Sequence, residues 1–110
     1  TVCDDPNLDA IGWYCGNASS KTHDVGQKLP NAWGLYDMLG NVLEWTWDWH
    51  GSYSSGWSPD PVGASSGSYR VARGCGWVIA ARSCRAAYRG GDSPEVRGRA
   101  LGFRPARSLP

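Results

Sequence analysis

The sequence is poor in the residues that usually fill a small hydrophobic core. It contains a single Phe and a single Met among 110 residues, and its aliphatic side chains are few. No apolar run approaches the roughly 20 residues that a membrane-spanning helix requires, so we expect no membrane partner. The two histidines, His23 and His50, lie far apart without the spacing of metal ligands, and they are predicted to be surface or capping residues.

Aromatic residues and turn formers take the place of the aliphatic ones. Seven Trp and five Tyr are present, and each buried aromatic side chain removes roughly 150–250 Å² from water. The indoles, among them Trp45, Trp47 and Trp77, are therefore predicted to fill much of the core. Fifteen Gly and seven Pro favour many turns and little helix, which indicates one loop-rich domain at this length.

The formal charges are divided along the chain. Residues 1–68 contain two Lys and eight acidic residues, whereas residues 69–110 contain nine Arg and two acidic residues. A basic surface for nucleic acid is one interpretation, and mutual neutralisation of the two packed halves is the other. The arginines stand within apolar alternation and not in a run, so we favour neutralisation and expect no nucleic-acid partner.

Four cysteines, Cys3, Cys15, Cys75 and Cys84, form an even set in a loop-rich chain. Such a set is typical of disulfides formed in an oxidising compartment, which favours an extracytoplasmic location. Of the possible pairings we expect the two local ones, Cys3 with Cys15 and Cys75 with Cys84. The alternative is four buried free thiols in a cytoplasmic protein.

Alternation of apolar and polar residues predicts the strands. The clearest strand lies at residues 42–49, where Leu43 and three Trp point to one face and acidic side chains point to the other. Other predicted elements are strands at 69–73, 82–89 and 101–104, a short strand at 11–14, a helical turn at 34–40, and loops at 50–68 and 90–99. This pattern favours an antiparallel sheet whose loops carry the function.

Four segments are notable for their order and spacing: PNAWGLYDMLGNVLEW at residues 30–45, YRVARG at 69–74, CRAAYR at 84–89 and GFR at 102–104. They resemble the formylglycine-generating enzyme (sulfatase-modifying factor) family over roughly residues 10–107. The resemblance implies an α+β, mostly irregular, C-type-lectin-like fold with a small antiparallel sheet and little helix. It divides the single domain 1–110 into an irregular segment at 1–33, a core at 34–107 and a tail at 108–110.

The resemblance covers only the later half of a family domain, because those domains are longer and their earlier part has no match here. A half-domain leaves apolar surface and sheet edges uncovered, which monomers rarely tolerate. We therefore expect a homo-oligomer, or a partner protein that covers the missing half.

The resemblance also places the two copper-binding cysteines of the family's enzymes at Ile79 and Cys84. Isoleucine cannot ligate a metal, and copper(I) prefers a pair of soft thiolates. We therefore predict a domain without catalytic activity and without copper. The alternative is an oxygen- and copper-dependent enzyme that acts on a cysteine or thiol substrate through Cys84, alone or together with Cys75.

A calcium site is a further implication of the resemblance, through the Asp37 side chain, the Gly40 and Val42 carbonyls and the Glu44 side chain. Calcium takes about 6–8 hard oxygen ligands, and carboxylates around a glycine turn supply such oxygens together with main-chain carbonyls. In the alternative, Asp37 caps a turn and Glu44 pairs with an arginine such as Arg85 or Arg104.

These residues predict a binding domain. The loops at 50–68 and 90–100 would present its surface to a ligand or a protein, and calcium would stiffen the turn before the first strand. Trp57, Arg85 and Arg89 are the candidate contacts for a small ligand, with Tyr53 and Trp33 also near loops. For Trp57, packing in the core is an equal alternative.

Overall fold

The structure, a computed structural model, describes residues 2–109 and is mostly irregular. Its regular elements are helix α1 (Pro6–Asp9), strands β1 (Leu43–Trp49), β2 (Arg70–Arg73), β3 (Gly90–Asp92) and β4 (Leu101–Gly102), and a 3₁₀ helix at Ala81–Ser83. The small sheet, the long loops and the scarcity of helix agree with the fold class expected from the sequence. None of the helices in the described part of the chain is long and apolar enough to cross a membrane.

The four strands form one sheet in the order β3-β2-β1-β4. Strand β1 pairs with β2, and β2 with β3, in antiparallel fashion. Strand β4 instead lies parallel to β1, with Leu43 opposite Leu101. The prediction of a purely antiparallel sheet is therefore wrong at this edge, because the chain crosses back between β3 and β4 and enters alongside β1 in the same direction.

Two predicted strands do not form. Residues 82–89 contain the end of the 3₁₀ helix and a turn, because Cys84 points into the core while Arg82 and Arg85 remain exposed. Strand β3 falls instead at residues 90–92, which the sequence indicated as a loop. Its Gly91 lies so close to the His50 ring that an added Cβ would come within 2.9 Å of it. Residues 11–14 also form no strand.

The predicted helical turn at 34–40 is a loop. Gly34, Asp37 and Gly40 all have positive φ angles there, of 76°, 55° and 104°. A right-handed helix requires negative φ, so residues 34–40 change direction repeatedly and deliver the chain to β1.

The core is built from other residues than the indoles. Leu8, Tyr14, Cys75 and Cys84 form its buried cluster, and Ile79 packs against them. The Tyr14 hydroxyl donates to Asp9 Oδ1 at 2.8 Å, and burial raises the pKa of this tyrosine. The prediction that Trp47 fills the core is wrong, since its side chain is 86% exposed.

Two Trp side chains of β1 contact an arginine of the neighbouring strand. The guanidinium of Arg70 lies 3.6 Å from the Trp49 ring centre and 4.6 Å from that of Trp47, and it donates to the Trp47 carbonyl. A cation therefore contacts two indoles on this face of the strand, and Trp47 stays exposed. Alternation predicted the strand but not the burial of its apolar face. Trp45 and Trp77 are partly buried.

All four cysteines form disulfides, in the two local pairings expected from the sequence. One bond joins Cys3 to Cys15, and the other joins Cys75 to Cys84. Both sulfurs of the second bond lie in residues that are almost fully buried. This bond ties the corner after β2 to the end of the 3₁₀ helix.

We predict that Gly40→Ala destabilises the protein much more than Gly34→Ala. Both glycines have positive φ, so each Ala incurs a strain of about 1–2 kcal/mol. A Cβ at Gly40 would also lie 2.6 Å from the Trp13 carbonyl oxygen, whereas one at Gly34 meets nothing within 4 Å. The overlap should cost roughly a further 1–3 kcal/mol. Chemical denaturation of the oxidised protein measures the difference, and equal denaturation midpoints would contradict this account of the turn.

Candidate functional site

One ion pair connects the acidic and basic parts of the chain at the start of β1. Arg104 donates to both oxygens of Glu44, each at 3.0 Å, and also to the Asp37 carbonyl oxygen at 3.0 Å. The hydrogen bonds that Arg104 donates to Glu44 raise the pKa of Arg104. Glu44 is thus paired with one of the two arginines that the sequence offered as alternatives to calcium.

Other arginines donate to main-chain carbonyls. Arg73 reaches the Ala86 and Tyr88 carbonyls at 3.1 and 3.3 Å, and Arg85 reaches the Arg82 carbonyl at 3.2 Å. Arg89 donates to the Gly51 carbonyl. The guanidinium groups therefore fasten irregular backbone, which lacks a regular hydrogen-bond ladder of its own.

The side chains of the proposed calcium ligands differ in the hydrogen bonds that their oxygens already accept. Asp37 is only 7% exposed, and its Oδ2 accepts from the Gly26 amide at 2.9 Å. Its Oδ1 is buried with no hydrogen-bond partner, which is a costly state for a carboxylate oxygen. Both Glu44 oxygens accept from Arg104. Within residues 2–109 no three His, Cys, Asp or Glu side chains gather as a metal site. Of the two proposed side-chain ligands, Asp37 better suits a cation, because its Oδ1 accepts no hydrogen bond.

An apolar groove of about 410 Å³ lies beside Asp37. Leu29, Leu35 and Met38 line it, and Arg85 stands at its rim. Another cavity, of about 540 Å³, lies between Trp77, Tyr88 and the loop that follows β3.

A cavity with a polar lining lies beneath residues 51–64 and measures about 630 Å³; we call it the loop cavity. Two guanidinium groups meet there at Tyr53. Arg73 Nη2 donates to the Tyr53 hydroxyl at 3.2 Å, and the Arg89 guanidinium lies 3.9 Å from the centre of the same ring. These contacts, with the Arg89 bond to Gly51, hold the loop against the sheet.

Acidic and hydroxyl side chains complete the lining of the loop cavity. Asp48 comes from β1 and Asp60 from the overlying loop. Asp48 Oδ1 accepts from the Thr46 hydroxyl. Gly63, with φ of 83°, lets the loop lie directly on the strand, since an added Cβ would be 2.7 Å from the Asp48 Cβ. Ser52, Ser54 and Ser58 add hydroxyl groups.

The structure does not gather the three predicted ligand contacts in one place. Arg89 lines the loop cavity, while Arg85 lies at the apolar groove. Trp57 is 88% exposed on the loop, which excludes the core alternative. Sequence reasoning missed Arg73, which stands beside Arg89 because Ala72 pairs with Gly90. The sequence could not indicate that pairing, because residues 90–92 were predicted to be part of a loop.

The cysteine chemistry of the alternative enzyme is not assembled in this structure. Cys84 is bonded to Cys75, and the position of the other expected cysteine is held by Ile79 within the apolar cluster. The described residues therefore contain no free thiol.

The mostly irregular fold, with its small sheet and glycine-rich turn, is of the formylglycine-generating-enzyme type. The chain belongs to the family described as "Sulfatase-modifying factor enzyme 1-like domain", whose model matches residues 8–109. The resemblance found in the sequence is thereby confirmed.

Individual relatives have diverse names. The chain is 32% identical to "Chaperone protein LppX" of Paenibacillus barcinonensis, over 93% of this chain and 39% of that protein. It is 39% identical to mouse (Mus musculus) formylglycine-generating enzyme, over 70% of this chain and 22% of the enzyme. The solved structure of Treponema denticola variable protein 1 is similar, with 45% identity and a TM-score of 0.85 over 91% of this chain and 37% of its own. The chain thus spans well under half the length of each.

We predict that Arg89→Gln loosens the loop over the cavity. The change removes a charged donor to Gly51 and a cation from the Tyr53 ring, together about 1–2 kcal/mol. Hydrogen exchange of the amides in residues 51–64 should accelerate by roughly tenfold, which corresponds to about 1.4 kcal/mol. Arg82→Gln, at an exposed position, is the matched control. Identical exchange rates in both variants would show that Arg89 does not anchor the loop.

Proposed function

We propose that this chain is a non-catalytic binding domain with a C-type-lectin-like scaffold, and that it binds a small ligand in the loop cavity. The observation that carries the proposal is the meeting of Arg73 and Arg89 at Tyr53 inside a cavity of about 630 Å³. Ligand sites commonly measure about 300–1,000 Å³ and contain a few convergent polar groups. The cavity fits that description.

The disulfides support a binding role over oxygen chemistry. A thiolate is the species that binds copper or attacks a substrate, and a cysteine in a disulfide supplies none. With Cys84 bonded to Cys75 and an isoleucine at position 79, the pair of soft ligands that copper(I) prefers is not available. Two disulfides in one small domain also support an oxidising, extracytoplasmic location.

A ligand screen tests this function. The oxidised protein is screened by thermal shift against amines, carboxylates, phosphates, neutral sugars and amino acids. We expect at least one class to raise the melting temperature by several degrees through mass action. Arg73→Gln should reduce the shift, while Arg82→Gln, outside the cavity, should keep it. A screen without binders, or binding that ignores Arg73→Gln, would refute the proposal.

We also propose that calcium binds at the turn before β1. Asp37 Oδ1 supports this, because a buried carboxylate oxygen without a donor is stabilised by a cation. The Gly40 and Val42 carbonyls would add hard oxygens, and Glu44 would contribute when it is released by Arg104. Bound calcium would stiffen the turn and neutralise the buried charge.

Calcium at 1 mM is expected to raise the melting temperature, relative to chelator, by about 4–8 °C, the shift that about 1 kcal/mol produces in a domain of this size. Asp37→Asn and Glu44→Gln should each abolish the rise, whereas Asp24→Asn, at an exposed position, should not. Asn tolerates the positive φ of residue 37, so the variant tests charge and not backbone strain. A melting temperature that calcium leaves unchanged in the wild type would exclude this site.

The third part of the proposal concerns self-association through the apolar surface of residues 25–38. This surface exposes the side chains of Val25, Leu29, Trp33, Leu35 and Met38. It is continuous with the 410 Å³ groove, and exposed apolar patches of this kind mark protein interfaces. A second copy of the 110-residue chain would cover the groove.

Light scattering should find the protein as a dimer or larger oligomer at micromolar concentration. Leu35→Glu places a charge in the groove and should shift the protein to monomer. Leu109→Glu, at a site 86% exposed near the end of the chain, should leave the oligomer intact. A monomeric wild type would refute self-association.

A further inference from the structure

We infer that the ligand of the loop cavity is a small zwitterion, a molecule that carries one carboxylate and one ammonium group. The inference rests on the proposed function, because it specifies the ligand of that same cavity. A zwitterion is indicated by the positions of the positive and negative side chains in the lining of the cavity. Free α-amino acids and ω-amino acids share the required chemistry and differ in the distance between their charges.

The two arginines on the cationic side of the cavity are held by several contacts and still have unused hydrogen-bond donors. Arg73 is held by the Ala86 and Tyr88 carbonyls and by the Tyr53 hydroxyl, and Arg89 by Gly51 and the Tyr53 ring. A guanidinium carries more N–H donors than these contacts use. Planar guanidinium groups held in place are suited to binding a carboxylate through two parallel hydrogen bonds.

The anionic side is built from two different elements. On β1, Asp48 Oδ1 accepts a hydrogen bond from the Thr46 hydroxyl, whose oxygen also lies 3.1 Å from the Val71 carbonyl oxygen. Asp60 stands on the loop between two prolines and has a φ of 43°. Carboxylates accept hydrogen bonds and donate none, so they select an ammonium group.

The opposite charges share one cavity without neutralising each other. The ion pair found within residues 2–109 is that of Arg104 with Glu44, and neither Asp48 nor Asp60 pairs with Arg73 or Arg89. In a protein that uses its arginines to tie down backbone, this leaves both signs of charge available to a ligand. A zwitterion can satisfy both sides at once.

Ligands of a single charge fit the lining less well. A simple anion drawn to Arg73 and Arg89 would meet the field of two carboxylates, and a simple cation drawn to Asp48 would meet two guanidinium groups. Like charges brought together inside an interface cost free energy and so determine specificity. The lining has no net formal charge, as expected for a neutral ligand with separated charges.

The test titrates each of the twenty standard α-amino acids and 6-aminohexanoate into the oxidised protein by NMR and calorimetry. Every binder is then compared with its methyl ester, which lacks the carboxylate, and its N-acetyl derivative, which lacks the ammonium. We expect at least one zwitterion to bind and each derivative to lose about tenfold or more in affinity. Preference for α-amino acids or for 6-aminohexanoate reports the distance between the two sides.

Charge variants assign the ammonium subsite. Asp60→Asn should weaken the zwitterion by about tenfold and leave the weak binding of the N-acetyl derivative unchanged. Asp92→Asn, an exposed change on β3 outside the loop cavity, is the matched control and should change neither. Asn tolerates the backbone angle of residue 60, and an unchanged melting temperature confirms that the variant is folded.

The outcomes separate the inference from the proposed function. If the screen finds ligands at the loop cavity but none is zwitterionic, the inference fails and the binding function stands. Zwitterion binding that survives both Asp60→Asn and Asp48→Asn would also overturn the inference. If no compound of any class binds, the inference and the proposed function fail together.

Discussion

The buried Cys75–Cys84 disulfide is the interaction on which the rest of this structure depends. It lies at the centre of a core that otherwise offers little more than Leu8, Tyr14 and partly buried aliphatic residues. Around it the corner after β2 meets the glycine turn, since Gly40 donates to the Gly74 carbonyl and Trp77 donates to the Asn41 carbonyl at 2.8 Å. A covalent bond thus compensates for a small apolar core.

The same bond sets the direction of the chain that carries the functional arginines. Because Cys84 is drawn into the core, the residues after it leave in a turn and not in a strand. That turn brings the Ala86 and Tyr88 carbonyls to Arg73, and it delivers Arg89 to the face of the sheet that Arg73 occupies. The charge arrangement of the loop cavity therefore follows from the cysteine corner.

How far the sequence predicts this structure depends on whether a feature is local. Alternation located β1 and β2 to within one residue, since strand period is encoded in neighbouring side chains. It could not show that Arg70 would contact Trp47 and Trp49, because that partner comes from another strand. The parallel placement of β4 likewise depends on a crossover that no local pattern records. Motif spacing, a longer-range signal, identified the family.

The candidate site was predictable only in part, for a related reason. Arg89 was identified from its residue type, but the other lining residues Arg73 and Asp48 can be placed beside it only when the register of the strands is known. The charge division of the sequence suggested that acidic and basic halves would neutralise each other. In the structure, most of the interacting arginines donate to carbonyl oxygens instead. A carbonyl oxygen is a weaker partner than a carboxylate, but it does not neutralise the guanidinium charge. Because these arginines donate to the backbone and not to carboxylates, one cavity of this small domain retains positive and negative charges that a ligand can contact.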